Sequence, residues 1–333
     1  MPPLCPLCYS GVTVVERRKL NLDIAGLTDM GRRKEKNEDN LGIFGEDTPG
    51  LRLFKEGALL AVADGLGGHT GGEIASKLAI SMVRDMLKDD PPPPDSPNVD
   101  IVLDAANIGY LPLLRRAMAR ANESIFQTNR DLIQSKRPMG TTLLTALVDP
   151  KWAWIGNVGD SRAYLFRDGM IIARTEDHSW VDEQVKQGLM TRNEAENDKR
   201  KNIVTRCIGT HEEAEADTYR WSLAPNDILL LCTDGLVNMV KDADITEELG
   251  QPKMAKEIAQ RLVDRANTNG GKDNITVIVA VISPDPQRMA KLRRQAWLRE
   301  KNITPARVLT WVAYGAVCFV AGLIAGLVIG WLL

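Results

Sequence analysis

Apolar residues recur along this chain in two periods, and the changes from one to the other mark out its elements. Continuous apolar runs at Ala58–Ala63, Trp152–Val158, Ile228–Cys232 and Ile275–Ile282 have strand length and no polar side, which predicts strands buried on both faces. Segments 22–28 and 41–44 add shorter strands. Segments 141–148, 152–158 and 163–167 read as a β-meander, turned at Asp149-Pro150 and Gly159-Asp160. Elsewhere the spacing is helical. Ile74, Leu78, Met82 and Leu87 predict a helix over 74–87. Leu113, Leu114, Met118, Ala121 and Ile125 place a second within 105–134, and 253–266 reads as a third. The polar stretch 178–202, with Val181, Val185 and Leu189 at helical spacing, predicts a small mobile, flap-like subdomain. Residues 89–97 are proline-rich and read as a surface loop, and residues 1–21 as a poorly structured leader.

The last 26 residues, 308–333, depart from both patterns: they are apolar all round and carry no charge. A span of about 20 apolar residues crosses the hydrocarbon of a bilayer, so this segment is read as one C-terminal transmembrane helix. Charge supports that reading. Residues 288–307 hold seven basic side chains against the single acid Glu300, a basic juxtamembrane linker within 284–307. Basic flanks stay on the cytoplasmic side, which puts the body in the cytoplasm of a membrane-anchored protein. Gly322, Gly326 and Gly330 share one face of the tail, a spacing that also suits a dimer through the transmembrane helix. With the chain's net charge at -2 and this linker at +6, the body 1–287 sums to -8, which argues against nucleic acid as a partner. Its 44% hydrophobic content is enough for one large domain or two small ones. Five scattered cysteines give no disulfide framework. Cys5 and Cys8 form half of a zinc-ribbon pattern, read either as a loose tail or as a shared zinc or redox pair.

Candidate chemistry lies in five aspartates: Asp39, Asp64, Asp160, Asp234 and Asp273. Each is followed by Gly, Asn or Ser, and four sit beside the apolar runs. Alone, an Asp-Gly pair is a turn. Several carboxylates at strand ends are what a hard cation requires, because Mg²⁺ and Mn²⁺ take oxygen ligands and keep several waters. The set points to metal-activated water acting on an anionic substrate.

The segments around these residues resemble the protein phosphatase 2C family over roughly 22–283. In family order they are Asn37-Glu38-Asp39, Val62-Ala63-Asp64-Gly65-Leu66-Gly67-Gly68-His69, and Met139-Gly140-Thr141-Thr142. Asn157-Val158-Gly159-Asp160-Ser161-Arg162 and Thr175-Glu176-Asp177-His178-Ser179 follow, then Cys232-Thr233-Asp234-Gly235 and Lys272-Asp273-Asn274. The Gly-Gly-His ending looks like the bacterial branch. The resemblance implies an α+β fold, a four-layer sandwich of two antiparallel sheets flanked by helices. It implies a metal-dependent protein serine/threonine phosphatase using two Mn²⁺ or Mg²⁺ ions, with a third on Asp160. Asp64 would bridge two ions with the Gly65 carbonyl on the first, Asp234 and Asp273 would ligate the second, and Asp39 with Glu38 would hold metal-bound waters. The partners implied are phosphorylated Ser/Thr proteins, a Ser/Thr kinase and its substrates; the lipid bilayer follows from the tail.

Two departures and one rival class qualify that picture. The family's phosphate-binding Arg is replaced by Lys34, so Lys34 or the adjacent Arg33 takes the phosphate. The eukaryotic general-acid His is replaced by Leu66, and the role of His69 stays open. His178 reads as structural, and Arg162 as the partner of an acid in the fold. Asp242-Ala243-Asp244-Ile245-Thr246 superficially fits a phospho-aspartyl nucleophile but reads as a helix start. The rival is a catalytically silent phosphoprotein-binding module on the same fold.

Overall fold

The structure, a computed structural model, describes residues 13–19, 22–45, 57–67, 71–89, 110–131, 138–251 and 253–282, with 48, 290 and 294 singly. The strands and helices run β1 Thr13–Lys19, β2 Leu22–Asp29, β3 Asn40–Gly45, β4 Ala58–Ala63, β5 Gly65–Leu66, α1 Gly71–Asp89 and α2 Leu111–Asp131. There follow β6 Gly140–Thr141, β7 Leu143–Val148, β8 Trp152–Val158, β9 Arg162–Arg167, β10 Met170–Arg174, α3 Trp180–Lys186 and α4 Arg192–Asn197. The remainder is β11 Asp217–Ser222, β12 Ile228–Cys232, α5 Asp234–Val237, α6 Asp242–Leu249, α7 Ala255–Thr268 and β13 Ile275–Ile282. The chain divides into two compact units, 1–284 and 285–333, and nearly all of the second lies outside the described residues, including the apolar tail 308–333.

Two antiparallel sheets form the body, one ordered β1-β2-β13-β12-β9-β10 and the other β11-β8-β7-β4-β3. Strand alternation explains the layers. In β4, Leu60 and Val62 point into the core between the sheets, while Leu59, Ala61 and Ala63 point out beneath α1 and α2. In β13, Ile278, Ala280 and Ile282 face the first core, while Ile275, Val277, Val279 and Val281 pack with α7 residues Ile258, Leu262 and Val263. Helices therefore cover the outer face of each sheet and the sandwich has four layers. A strand with helix on one side and sheet on the other has no wet face, which is why these runs lack polar alternation. Burying a Leu or Ile side chain contributes roughly 1.5–3 kcal/mol, so these three cores dominate the fold's stability.

The leader expectation needs correction over 13–19, where β1 pairs in full register with β2, Thr13 opposite Thr28 and Lys19 opposite Leu22. Its sequence, Thr-Val-Val-Glu-Arg-Arg-Lys, is charged because an edge strand has no partner on one side and tolerates charge. The expectations for Cys5, Cys8 and the loop 90–97 lie outside the described residues.

Antiparallel register is also what assembles the site. Asn40 pairs with Ala63, so Asp39 at the start of β3 lies beside Asp64 at the end of β4. Leu143 pairs with Val158 and Cys232 with Arg162. The turn bearing Asp160 and the β12–α5 junction bearing Asp234 therefore reach the same end. Cys232 pairs with Val277, which brings Asp273 at the start of β13 to that end as well. Residues separated by more than two hundred positions converge because neighbouring strands run in opposite directions.

Candidate metal centre

Local hydrogen bonds fix the peptides and side chains that carry these carboxylates. The Asp64 peptide is gripped on both sides: Thr142 N–H and Thr141 Oγ1 donate to its carbonyl, each at 2.8 Å, and its own N–H donates to Thr142 Oγ1 at 2.9 Å. Thr142 Oγ1 also lies 2.8 Å from Ser161 Oγ, linking the Asp64 and Asp160 turns. Asp39 is buried, and its Oδ2 accepts from Thr233 Oγ1 at 2.8 Å and Thr276 Oγ1 at 2.7 Å. Asp234 Oδ2 accepts from the Asn238 amide at 2.9 Å. Asn274 clamps the loop that carries Lys34 and Glu38, accepting from the Glu38 N–H at 2.9 Å and donating to the Met30 and Lys36 carbonyls.

Two glycines permit the close approach. A methyl on Gly235 would lie 1.9 Å from the Asn274 carbonyl oxygen, and one on Gly65 would lie 2.3 Å from the Gly72 carbonyl oxygen. The segments that bear Asp234 and Asp273, and those that bear Asp64 and Glu38, thus pack backbone against backbone.

Packed this tightly, the carboxyls resist ionising. Burial pushes Asp39 up to about 7 and Asp234 up to about 6. Burial, then the charges of Asp39, Asp234, Asp160 and Asp273, holds Asp64 well above the usual carboxylate range. Burial and Asp234 do the same to Asp160. Mutual repulsion of this kind is relieved by a divalent cation. Lys34 Nζ reaches Asp273 Oδ1 at 2.5 Å, and both Lys34 and Arg33 are exposed.

The residues fit bound ions. Glu38 Oε1, Asp39 Oδ1 and Asp234 Oδ1 are buried oxygens without a hydrogen-bond partner among the described residues. An unpartnered buried carboxylate oxygen is costly unless a cation completes it. No three acidic, His or Cys side chains among the described residues close into a ready cage. Mg²⁺ and Mn²⁺ sites are built from one or two carboxylates and a carbonyl per ion, with water in the remaining positions.

Other expectations resolve around this centre. Arg162 forks onto Asp177, with Nε at 2.7 Å from Oδ1 and Nη2 at 2.6 Å from Oδ2, so it pairs with an acid as its sequence context indicated. Asp242 opens α6, and its two oxygens accept from Tyr164 Oη at 2.9 Å and Arg174 Nη1 at 3.1 Å. It is a helix start, not a nucleophile. Leu66 lies in β5, and His69 lies outside the described residues. Sequence reasoning missed Thr142, Thr233, Thr276 and Asn274 as positioning groups. All four stand in or beside the motifs, but a hydroxyl's role depends on a partner that only the fold supplies.

Known proteins match this arrangement. A family model described as Protein phosphatase 2C matches residues 34–277. Serine/threonine phosphatase stp of Listeria innocua is 35% identical over 255 residues, covering 76% of this chain and 92% of that protein. Serine/threonine protein phosphatase PstP of Mycobacterium tuberculosis is 35% identical over 266 residues, 79% of this chain and 46% of that longer protein. Among solved structures, Stp1 from Staphylococcus aureus superposes with a TM-score of 0.66 at 32% identity, covering 80% of this chain and 99% of that one. The catalytic domain of PstP, solved in complex with two manganese ions, superposes with a TM-score of 0.62 at 32% identity, covering 81% of this chain and 99% of that one. With the aspartates gathered at one end of a matching sandwich, this chain belongs to the protein phosphatase 2C family.

Proposed function

We propose that this chain is a metal-dependent protein serine/threonine phosphatase that hydrolyses phosphoserine and phosphothreonine in proteins, opposing a Ser/Thr kinase. The observation that carries this reading is the convergence of Asp39, Asp64, Asp160, Asp234 and Asp273 with three buried, unpartnered carboxylate oxygens among the described residues. Asp64 with the Gly65 carbonyl, and Asp234 with Asp273, would hold a pair of Mn²⁺ or Mg²⁺ ions, and Asp39 with Glu38 the waters around them. Bound there, such a pair lowers the pKa of a water and steadies the oxygens of an in-line phosphoryl displacement. The protein's own part is placement. Thr141 and Thr142 fix the Asp64 peptide, Thr233 and Thr276 aim Asp39 Oδ1 into the cluster, and Lys34 supplies positive charge where the phosphate docks. Hydrolysis of a phosphothreonine peptide by the full-length protein, with Mn²⁺ and with excess chelator, tests this. Strong hydrolysis with Mn²⁺ and none with chelator is expected, and no hydrolysis under either condition would leave the silent binding module.

Asp160 would hold a third ion. Asp160→Ala is expected to leave the fold intact and slow turnover by about tenfold, while the rate loses its rise at high Mn²⁺. A rate that tracks wild type across the whole Mn²⁺ titration would remove the third ion.

Lys34 stands on Asp273 and at the mouth of the cluster, so it carries a point charge that a phosphate shares. Lys34→Arg is expected to lower the KM for a phosphopeptide about threefold, because a guanidinium fork grips two phosphate oxygens. Should KM stay level or rise, Arg33 holds the phosphate instead.

The tail 308–333 would anchor the enzyme in the cell membrane with the catalytic domain in the cytoplasm, and residues 288–307 would rest on anionic headgroups. After lysis the full-length protein is expected to pellet with membranes, whereas 1–287 stays in the supernatant and active. Full-length protein recovered in the supernatant would remove the anchor, and with it the dimer through the helix.

A further inference from the structure

We propose that His178 is a positioning residue: at the start of the flap 178–202, one buried imidazole ties the turn that carries Asp160 to the first residue of β11, while the His178 backbone holds the far end of the flap. The inference rests on Asp160 as an ion-binding residue only for its effect on metal.

Gly159 has φ of +112°, and a side chain there would strike Thr142 Cβ at 2.6 Å. Its polar groups are fully engaged. The Gly159 N–H donates to His178 Nδ1 at 3.1 Å, and the Gly159 carbonyl accepts from the His178 N–H at 3.0 Å and the Asn157 amide at 3.3 Å. A peptide held on its N–H and its carbonyl cannot swing without breaking those bonds, and Asp160 is the next residue along.

The same imidazole faces the flap. Because Nδ1 accepts, the ring proton sits on Nε2, which lies 3.2 Å from Asp217 Oδ2, at ion-pair distance but outside hydrogen-bond alignment. Asp217 opens β11, fifteen residues past the flap, and it also accepts from Arg206 Nη1 at 3.0 Å, which ties it back to the segment 203–206 that closes the flap. The His178 carbonyl accepts from Thr205 N–H at 2.8 Å, and Ser179 bridges Val204. Trp180 N–H donates to the Ile203 carbonyl at 2.9 Å, closing the flap at its base. His178 is fully buried, so both contacts are shielded from bulk water. A displacement at the base of the flap therefore reaches Asp160 through one side chain, and a cation that fixes Asp160 steadies the flap in return.

Two substitutions separate this role from simple core filling. Asparagine places an amide oxygen near the Nδ1 position but does not reach Asp217; glutamine reaches toward Asp217 but offers no acceptor to Gly159. Amide hydrogen exchange on the full-length, metal-free protein reads the turn, and equilibrium dialysis with Mn²⁺ alone reads ion binding. For His178→Asn we expect the 157–161 peptide to stay protected and the Mn²⁺ count to match wild type, while amides at 203–206 exchange faster. For His178→Gln we expect 157–161 to exchange about tenfold faster and one fewer Mn²⁺ to bind. Its kcat with para-nitrophenyl phosphate should drop at unchanged KM. Two variants that behave alike in exchange would overturn the proposal. If His178→Gln does not fold, Asp217→Asn decides: it should loosen 203–206 and spare 157–161, and equal loosening of both would overturn the coupling. A wild-type Mn²⁺ count in Asp160→Ala would remove only the ion from this account, with the exchange pattern judged on its own.

Discussion

Asp64→Asn is expected to lower phosphatase activity on the order of 10³-fold while leaving the metal-free protein more stable than wild type. Both effects have one cause. Asp64 is the carboxyl that feels Asp39, Asp234, Asp160 and Asp273 together, so it is the centre of the cluster. An amide in its place would be a poorer ligand for the cations proposed there, and losing about 4 kcal/mol of transition-state stabilisation corresponds to that fall in rate. The same amide removes a buried group that must either ionise against its neighbours or take up a proton, which should raise the metal-free Tm by a few degrees, since about 1 kcal/mol shifts a domain of this size by roughly 2–4 °C. Steady-state kinetics and a thermal melt in chelator check both. A variant that is inactive because it is unfolded, or one that turns over normally, would each contradict this account.

Gly235→Ala is the second large effect. Helix propensity favours Ala over Gly by about 1 kcal/mol, and Gly235 lies in α5, so propensity alone predicts a gain. Geometry reverses the sign. The new methyl would lie 1.9 Å from the Asn274 carbonyl oxygen and 2.9 Å from its carbon, both backbone atoms that cannot rotate away. Overpacking of this kind typically costs about 1–3 kcal/mol, and the relief available is to push the Asp234 segment away from Asp273. The expected result is a Tm several degrees lower and Mn²⁺ affinity reduced at least about tenfold, read by melting and calorimetry. Wild-type stability with wild-type Mn²⁺ affinity would show that the two segments do not need their contact.

How much of this was legible beforehand divides along physical lines. Strands β4, β8, β12 and β13 stood out because burial on both faces leaves no polar position to blur the run. Four of the five aspartates stood out because they follow or precede such a run. Strands β10 and β11 did not: they lie at sheet edges, with Met170 and Arg220 exposed, so half of each pattern is dictated by water. The partner of Arg162 was expected as a class and not as a residue, since Asp177 is an acid fifteen positions away that only the strand geometry brings into reach. The sequence offers Lys34 or Arg33 as the phosphate ligand, yet the contact of Lys34 with Asp273 could not be seen from composition or spacing. Motif reading names the chemistry; hydroxyl and amide supports such as Thr233 and Asn274 become visible only with coordinates.

The flap has a consequence for how such an enzyme can change its targets. Its two short helices are secured by their own ends: Ser179 caps α3, and Thr191 with Glu194 forms a capping box on α4. Each helix buries one side chain, Val181 and Ala195, while Leu189 and Ile203 stand open to solvent. A segment that stabilises itself locally owes little to the sandwich cores, so its outer residues are free to be rewritten without endangering the fold. Were a phosphoprotein to dock against the flap, its selectivity could be changed there by surface substitution, as on an interchangeable tool head, while the aspartate-bearing end of the sandwich stays fixed.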